Sequence, residues 1–279
     1  FETVIFDEAS QITLPLAVMG MLAGKKFIFI GDQQQLPPVL TTRYSGGAFR
    51  DSVFGVLAER GFDTMLTDTY RLSAELVEWP SRHFYGGRLV PTEDAAERRI
   101  TYLRPPARLA DILDPEAPKV FVDLGHHNVT TRSPKEAGVV VDLIETLLAC
   151  GVEPAEIGVV APYRAQGREI RNLLRQVLPD AATRKQIVVD TVERMQGQER
   201  DVVIVSLTTS NPTFAANLAE FFFQPERLNV AVTRPRMKLI IVGSRHLLKA
   251  APALEEWQQA VALLKDLLDS CAYFPLYGV

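Results

Sequence analysis

The chain contains 279 residues in ordinary globular proportions, with 47% hydrophobic and 23% charged residues. This composition excludes a disordered or collagen-like chain, and two cysteines are too few for a disulfide framework. No apolar run reaches the roughly 18 residues of a membrane span, so we expect no membrane contact and a cytoplasmic location, or a nuclear one in a eukaryote. A net charge of −4 argues against a protein that coats nucleic acid, but it allows a narrow basic channel.

Short apolar runs alternate with amphipathic stretches along the chain. The runs are apolar throughout, as expected for parallel strands that are covered on both faces. They predict strands at Thr3–Phe6, Lys26–Ile30, Val120–Asp123, Ile157–Ala161, Ile187–Asp190, Val202–Leu207 and Lys238–Val242. Alternation of such strands with helices predicts an α/β fold with a doubly wound parallel sheet.

The clearest helix is predicted to follow Ser133. Ser133 can cap the helix, Pro134 suits its first position, and Glu136 would complete a capping box. The apolar residues that follow recur on one face, and Gly151 is expected to end the helix.

Four other segments carry structural predictions. Leu254–Leu268 is predicted to form a closing amphipathic helix, and a domain boundary is expected near Asp63–Thr69. Pro91–Pro118, rich in Pro, Arg and Glu and poor in periodicity, is expected to be a surface excursion. His126-His127 has no accompanying cluster of cysteines or carboxylates, so we expect a surface turn rather than a metal site.

Two strands end in polar residues that suit phosphate chemistry. Asp7 and Glu8 follow the first strand, where Asp7 could hold Mg²⁺ and Glu8 could orient or deprotonate a water. The alternative is an ordinary strand followed by a capped turn. Gly31–Pro38 follows the next strand, and a glutamine there could contact a γ-phosphate or a water without adding charge. Gly31 is expected to permit a tight turn.

The order of six segments resembles superfamily 1 helicases of the Upf1/Dna2-like group, over nearly the whole chain. The segments resemble motif II, or Walker B (Asp7–Ser10), motif III (Gly31–Pro38), motif IV (Thr69–Leu72 and His83–Leu89), the proline-tyrosine segment (Ala161–Gln166), motif V (Val189–Asp201) and motif VI (Arg227–Arg236). The resemblance implies a RecA-like P-loop NTPase fold that uses ATP and Mg²⁺ on single-stranded DNA or RNA.

The resemblance also implies roles for residues around the ATP phosphates. Asp7 would bind the metal, Glu8 would activate the water, and Gln35 would sense the γ-phosphate. Arg71 and Arg234 would act as arginine fingers, because a guanidinium stays charged and binds phosphate bidentately. For an isolated arginine the alternative is a surface ion pair, usually worth less than about 1 kcal/mol.

Further positions would contact the rest of the nucleotide or the strand. Gly197 would permit close backbone approach and Glu199 would bind the ribose, unless Glu199 only pairs with Arg200. Tyr163 would line the nucleotide cleft or the channel, with a packed aromatic as the alternative.

Three residues are predicted to contact nucleic acid: Pro162, Thr191 and Ser206. The hydroxyls of Thr191 and Ser206 could bond to sugar-phosphate, although they could equally cap strand ends. A row of arginines at helical spacing could bind phosphates, although a solvated helix face explains it equally well: Arg164, Arg168, Arg171 and Arg175.

The sequence contains no Walker A loop, G-x-x-x-x-G-K-[ST]. The nearest match, Gly20–Lys26, has three intervening residues and lies after the Asp-Glu strand. We therefore expect residues 1–65 to be the remnant of a first RecA-like domain and residues 66–279 to be a second one. The isolated chain is expected to be inactive without the missing N-terminal part of the same polypeptide. The alternative is a non-catalytic module that binds nucleic acid or a partner. DNA versus RNA, polarity and oligomeric state stay open.

Overall fold

The computed structural model describes residues 1–38, 52–58, 60–61 and 63–276, in two compact units, Phe1–Leu66 and Thr67–Val279. The first unit contains strand β1 (Thr3–Phe6), helix α1 (Leu14–Met21), strand β2 (Lys26–Phe29) and helix α2 (Val53–Ala58). The second contains all later elements. That the two units are a partial and a complete RecA-like domain stays a prediction.

The first unit is a small parallel sheet with one covered face. β1 and β2 pair in parallel, with Ile5 opposite Ile28. One face packs around Ala9, Ala17 and Val53. On the opposite face Ile5 is 61% exposed, and Ile28 is also exposed. Parallel sheets are normally covered on both faces. Here no described residue of the first unit covers the face of Ile5 and Ile28, so this apolar face is exposed.

The second unit begins with small elements and continues into one large sheet. The first are β3 (Asp68–Thr69), α3 (Ala74–Phe84), β4 (Val90–Pro91) and α4 (Glu93–Ala96). The next are β5 (Lys119–Asp123), α5 (Pro134–Ala149), β6 (Ile157–Val160), α6 (Arg164–Val177), α7 (Ala181–Gln186), β7 (Val188–Asp190) and α8 (Val192–Met195). The last are β8 (Arg200–Ser206), α9 (Pro212–Asn217), α10 (Ala219–Phe222), α11 (Pro225–Val232), β9 (Pro235–Gly243), α12 (Glu255–Asp269) and β10 (Ala272–Pro275).

The six-stranded sheet has the order β10-β5-β9-β8-β6-β7, and every neighbouring pair is parallel. The predicted parallel α/β fold is therefore confirmed, and each predicted strand is present within about two residues, apart from a three-residue extension of the last at Pro235. The interior strands β6 and β8 are buried along all or most of their length, because α5 and α6 supply apolar side chains to the same core. The edge strand β10 is an addition that the sequence patterns did not predict. Among the described residues, no helix is both long and apolar enough to cross a bilayer.

Helix α5 begins as predicted, but Glu136 plays a different part. The Ser133 hydroxyl accepts from the Glu136 backbone N–H at 3.2 Å, as a cap should. The Ser133 N–H, however, donates to Gln166 Oε1 at 2.7 Å, so the reciprocal half of the capping box is absent. The Glu136 carboxylate is instead fully buried and accepts from Ser206 Oγ at 2.6 Å and from Thr208 N–H at 2.8 Å.

Two loop predictions were wrong in part, for a related reason. His126 is not in a surface turn: its ring is almost fully buried and bonds to Glu136 Oε1 at 2.7 Å and Ser210 Oγ at 2.8 Å. The segment Pro91–Pro118 is not only a surface excursion, because Ile112 and Leu113 are buried in the main core. Both segments pack through contacts that carry no local periodicity.

The closing helix was predicted correctly, and a carboxylate ties it to α3. Asp266 on α12 accepts from Trp79 Nε1 and bonds to His83 Nε2, each at 2.8 Å. Partial burial alone would raise the pKa of Asp266, but these hydrogen bonds hold it below its ordinary value.

Candidate functional site

The acidic pair lies at the carboxyl end of β1, open to solvent. Glu8 has a left-handed backbone, with φ 51°, which costs a non-glycine residue about 1–3 kcal/mol and is concentrated at functional sites. Its N–H donates to Asp7 Oδ1 at 2.9 Å. Mg²⁺ commonly binds one or two protein carboxylates and completes its shell with water and phosphate oxygens. Exposed carboxylate oxygens at this edge fit that ion, although the described residues include no cluster of three or more metal-ligating side chains.

The Gly31–Gln35 loop meets the acidic pair because β1 and β2 are neighbours. The Ala9 N–H donates to the carbonyl of Ile30 at 2.8 Å. A Cβ on Gly31 would lie 2.7 Å from the Ser10 nitrogen, so glycine is needed for this close approach rather than for the tight turn predicted from sequence. Gln35 Nε2 donates to Asp32 Oδ2 at 2.9 Å, which fixes its amide at the same edge.

In the second unit, residues from three of the predicted segments converge. Arg71 donates through Nε to Glu199 Oε2 at 2.7 Å and through Nη1 to the carbonyl of Thr233 at 3.4 Å. Gly197, two residues before Glu199, has φ 73°, a backbone region that glycine adopts without strain. The Arg71 hydrogen bond holds the pKa of the Glu199 carboxyl below its ordinary value.

The two predicted fingers differ in accessibility. The side chain of Arg71 is 32% exposed, whereas Arg234 is only 2% exposed. Arg234 donates to the carbonyl of Val230 at 3.0 Å and to Thr233 Oγ1 at 3.0 Å. Helix α11 ends at Val232 and β9 begins at Pro235, so Arg234 lies in a two-residue connection. Arg71 is therefore the more accessible of the two guanidinium groups.

Arg236 joins the same cluster, although sequence reasoning gave it no role. It donates to Asp201 Oδ1 at 2.7 Å and to Glu199 Oε1 at 3.3 Å, and it also pairs with Glu156. Burial would lower the pKa of Arg236, but the three carboxylates raise it. Its position two residues after Arg234 was visible in the sequence, but its partners at Glu156 and Asp201 were not.

Tyr163 belongs to an aromatic cluster rather than to the Arg71–Glu199 group. Its ring centroid lies 5.4 Å from that of Phe221 and 6.3 Å from that of Phe222. Burial raises the pKa of the Tyr163 hydroxyl. The packed-aromatic alternative describes this placement well. Pro162 is half-buried in the connection between β6 and α6.

The predicted nucleic-acid contacts separate into two kinds. Thr191 is half-buried at the carboxyl end of β7, where it precedes α8. Ser206 is fully buried, and its hydroxyl donates to Glu136 and accepts from Gln166 Nε2 at 3.1 Å. A hydroxyl so enclosed and bonded cannot reach a sugar-phosphate, so a direct contact by Ser206 is not compatible with this structure.

Two family models described as AAA domains match residues 1–43 and 49–246 of the chain. The mouse protein "DNA replication ATP-dependent helicase/nuclease DNA2" is 32% identical over 280 residues, which cover 91% of this chain and 26% of that protein. "Regulator of nonsense transcripts 1 homolog" of Arabidopsis thaliana is 33% identical, covering 90% of this chain and 20% of that protein. Among solved structures, "The structure of PRRSV helicase" covers 88% of this chain and 35% of that one, with TM-score 0.44 and 16% identity. The chain thus spans about a fifth to a quarter of the length of these two curated relatives.

Proposed function

The chain belongs to the AAA-domain family of superfamily 1 helicases, in the Upf1/Dna2-like group, and we propose that it is the C-terminal motor portion of one. In this proposal the parent protein couples ATP hydrolysis to movement on single-stranded DNA or RNA. The convergence of Arg71, Glu199 and Arg234 in one cluster carries the proposal. These residues belong to three separate motifs, and phosphoryl transfer needs cationic side chains fixed in place beside the bound nucleotide.

The residues divide the chemistry between them. Bound Mg²⁺ would neutralise charge on the phosphate oxygens. Asp7 would hold that ion and Glu8 would orient the attacking water, since both carboxylates are exposed at the end of β1. Gln35 would report on the γ-phosphate through its hydrogen bond to Asp32.

Arg71 and Glu199 suggest how nucleotide binding is coupled to the finger. Glu199 accepts from Arg71 and from Arg236 on its two oxygens. If Glu199 takes the hydroxyls of a ribose, it loses part of its hold on Arg71. The Arg71 guanidinium is then free to pair with phosphate oxygens, which it can bind bidentately. Nucleotide binding would thereby release the finger.

The absence of a phosphate-binding loop limits the ATPase activity that we expect of this chain alone. None of its 279 residues provides G-x-x-x-x-G-K-[ST]. The exposed apolar face of the first unit, around Ile5 and Ile28, suits packing against further strands of the same domain. We therefore infer that an N-terminal part of the same polypeptide supplies the loop and covers this face, and that the isolated chain has little or no ATPase activity. A non-catalytic module that binds nucleic acid or a partner is the alternative that the missing loop favours.

The experiment is strand-stimulated ATPase of the full-length protein carrying Arg71→Ala or Arg234→Ala. Arginine fingers contribute about 10³–10⁵ in turnover, so we expect kcat to fall by at least about 10³ with Arg71→Ala. Arg104→Ala is the matched control, because Arg104 is exposed and forms no ion pair with the described residues. Turnover that is equal in Arg71→Ala and Arg104→Ala would remove Arg71 from the site, and unchanged turnover in Arg234→Ala would remove Arg234.

A further inference from the structure

A basic groove of about 670 Å³ lies between α6, α7 and the edge strand β7. One carboxylate, Asp190, and seven cationic side chains line it: Arg164, Arg168, Arg171, Arg175, Arg184, Lys185 and Arg194. The whole chain carries a net charge of −4, so this concentration of positive charge runs against the overall balance. Such a local reversal is the electrostatic footprint of an anion-binding surface.

The charge on α6 is not balanced within the groove. Its four arginines are spaced four, three and four residues apart, which places them on one helix face. Like charges at this spacing destabilise a helix by a few tenths of a kcal/mol per pair. The one carboxylate of α6, Glu169, lies 3.5 Å from Arg132, which does not line the groove. A simple solvated face would carry interspersed charges of both signs.

Some of the lining cations are held by the protein and others are available. Arg171 donates to the carbonyl of Val189 at 2.6 Å, and Arg194 lies 3.4 Å from Asp190. By contrast, the side chains of Arg168 and Lys185 form no ion pair or hydrogen bond with any described residue. Arg171 therefore shapes the wall, whereas Arg168 and Lys185 present unneutralised charge to solvent.

The groove begins beside Thr191, one of the residues proposed to contact nucleic acid. Arg164 opens α6 and Asp190 closes β7, next to Thr191. From Arg164 the basic face continues along α6 to Arg175, which is about 16 Å at 1.5 Å per residue. A basic face of this length is long enough to contact several successive phosphates of one strand.

We propose that this groove binds the sugar-phosphate backbone of a nucleic acid strand that continues past Thr191. The inference rests on the proposed helicase function and adds a second track of phosphate contacts to it. Arginine and lysine contacts to phosphate carry no sequence information, as a translocating motor requires.

An acidic peptide fits the groove less well than a nucleic acid strand does. The edge strand β7 has only three residues, and the carbonyl of Val189 is already taken by Arg171, so an added peptide strand lacks an acceptor.

The test measures binding of the full-length protein to labelled oligothymidylate by fluorescence anisotropy at several salt concentrations. In the variant R168E/K185E we expect affinity at low salt to fall at least tenfold. The slope of log K against log salt should fall by about 1.4, because each lost single-strand phosphate contact contributes about 0.7. The charge-matched control R60E/R104E changes two exposed arginines that form no ion pair with described residues, and its affinity should stay within twofold of the wild type.

Other outcomes decide against the groove. Equal affinity and slope in R168E/K185E and R60E/R104E would overturn it. A second outcome would also overturn the proposal: R168E/K185E loses binding of polyglutamate but keeps its affinity for oligothymidylate. The groove would then be a peptide site. Thermal unfolding identifies a misfolded variant, in which case R168Q/K185Q replaces it. Strand-stimulated ATPase separates the two proposals: if the wild type binds DNA in the groove without any stimulated turnover, the motor proposal fails and the groove stands.

Discussion

Arg71 donates its Nε–H to Glu199 Oε2 at 2.7 Å across 128 positions of sequence. One residue is the proposed finger and the other the proposed ribose ligand, so two parts of the proposed nucleotide site touch each other. The contact is partly exposed on both sides, which makes it a weak stabiliser and an easy one to exchange. Such a contact is better suited to being exchanged when a ligand binds than to stabilising the fold.

The Arg71–Glu199 pair predicts a pH dependence of stability. The folded-state pKa of Glu199 lies below that of the unfolded chain, about 4.3. Its stabilisation is therefore fully present above about pH 4.3 and is lost as pH falls through the folded-state pKa. We expect Glu199→Gln to lower the free energy of unfolding by less than about 1 kcal/mol at pH 7, because both side chains are partly exposed.

Urea unfolding of the wild type and Glu199→Gln at pH 7 and pH 3 measures this difference. The difference in free energy of unfolding between the two proteins should be smaller at pH 3 than at pH 7. A difference that is equal at both values would show that the carboxylate charge contributes nothing.

Glu136 predicts a large effect on the free energy of unfolding, because its carboxylate is buried in a hydrogen-bond network. Its buried carboxylate accepts from Ser206, Thr208 and His126. Removing one member of such a buried charged network costs about 3–5 kcal/mol, because the remaining donors lose their acceptor. We expect Glu136→Ala to destabilise the protein by that amount in urea unfolding.

Glu145→Ala, on the same helix α5, is the matched control for Glu136→Ala. Glu145 is partly exposed and forms no ion pair with the described residues, so we expect a change within about 0.5 kcal/mol. If the two variants lose similar stability, the Glu136 network does not support the sheet.

Gly31 predicts a defect in turnover. A Cβ at this position would lie 2.7 Å from the Ser10 nitrogen, so Gly31→Ala must push the loop of Gln35 away from that of Asp7 and Glu8. A misplacement of about 1 Å can cost about 10² in rate, so we expect kcat of the full-length protein to fall by at least tenfold.

Gly138→Ala is the control for Gly31→Ala. A Cβ on Gly138 meets nothing within 4 Å, and the residue lies in helix α5, so alanine should stabilise the protein by about 0.5–1 kcal/mol. Equal kcat in the two alanine variants would mean that the approach of the two loops is not needed for turnover.

Much of the fold could be predicted because parallel strands buried on both faces appear as apolar runs. β6 and the Val202–Val205 part of β8, both in interior strands of the sheet, are the clearest cases. β10 was missed because its apolar run is short and contains Pro275, a residue that is normally excluded from strand interiors and confined to edges.

The sequence nominated residues for the candidate site, and those roles stay predictions, but it did not indicate how the residues are connected. Motif spacing identified Arg71 and Glu199, yet it did not indicate that they touch. Glu136 was assigned a local capping role because the pattern that signals it spans four residues. Its actual partners, Ser206 and Thr208, lie 70 and 72 positions away. Sequence patterns report local geometry, whereas such networks form only when the sheet brings distant strand ends together.

The most direct test of the motor proposal compares ATP turnover by the full-length protein and by these 279 residues, each with and without single-stranded nucleic acid. We predict that ATP turnover by the full-length protein rises when single-stranded nucleic acid is added and is lost with Glu8→Gln, and that the shorter chain shows little or none. If no polynucleotide stimulates turnover by the full-length protein, the motor proposal is contradicted. Robust turnover by the shorter chain that Glu8→Gln abolishes would also contradict it.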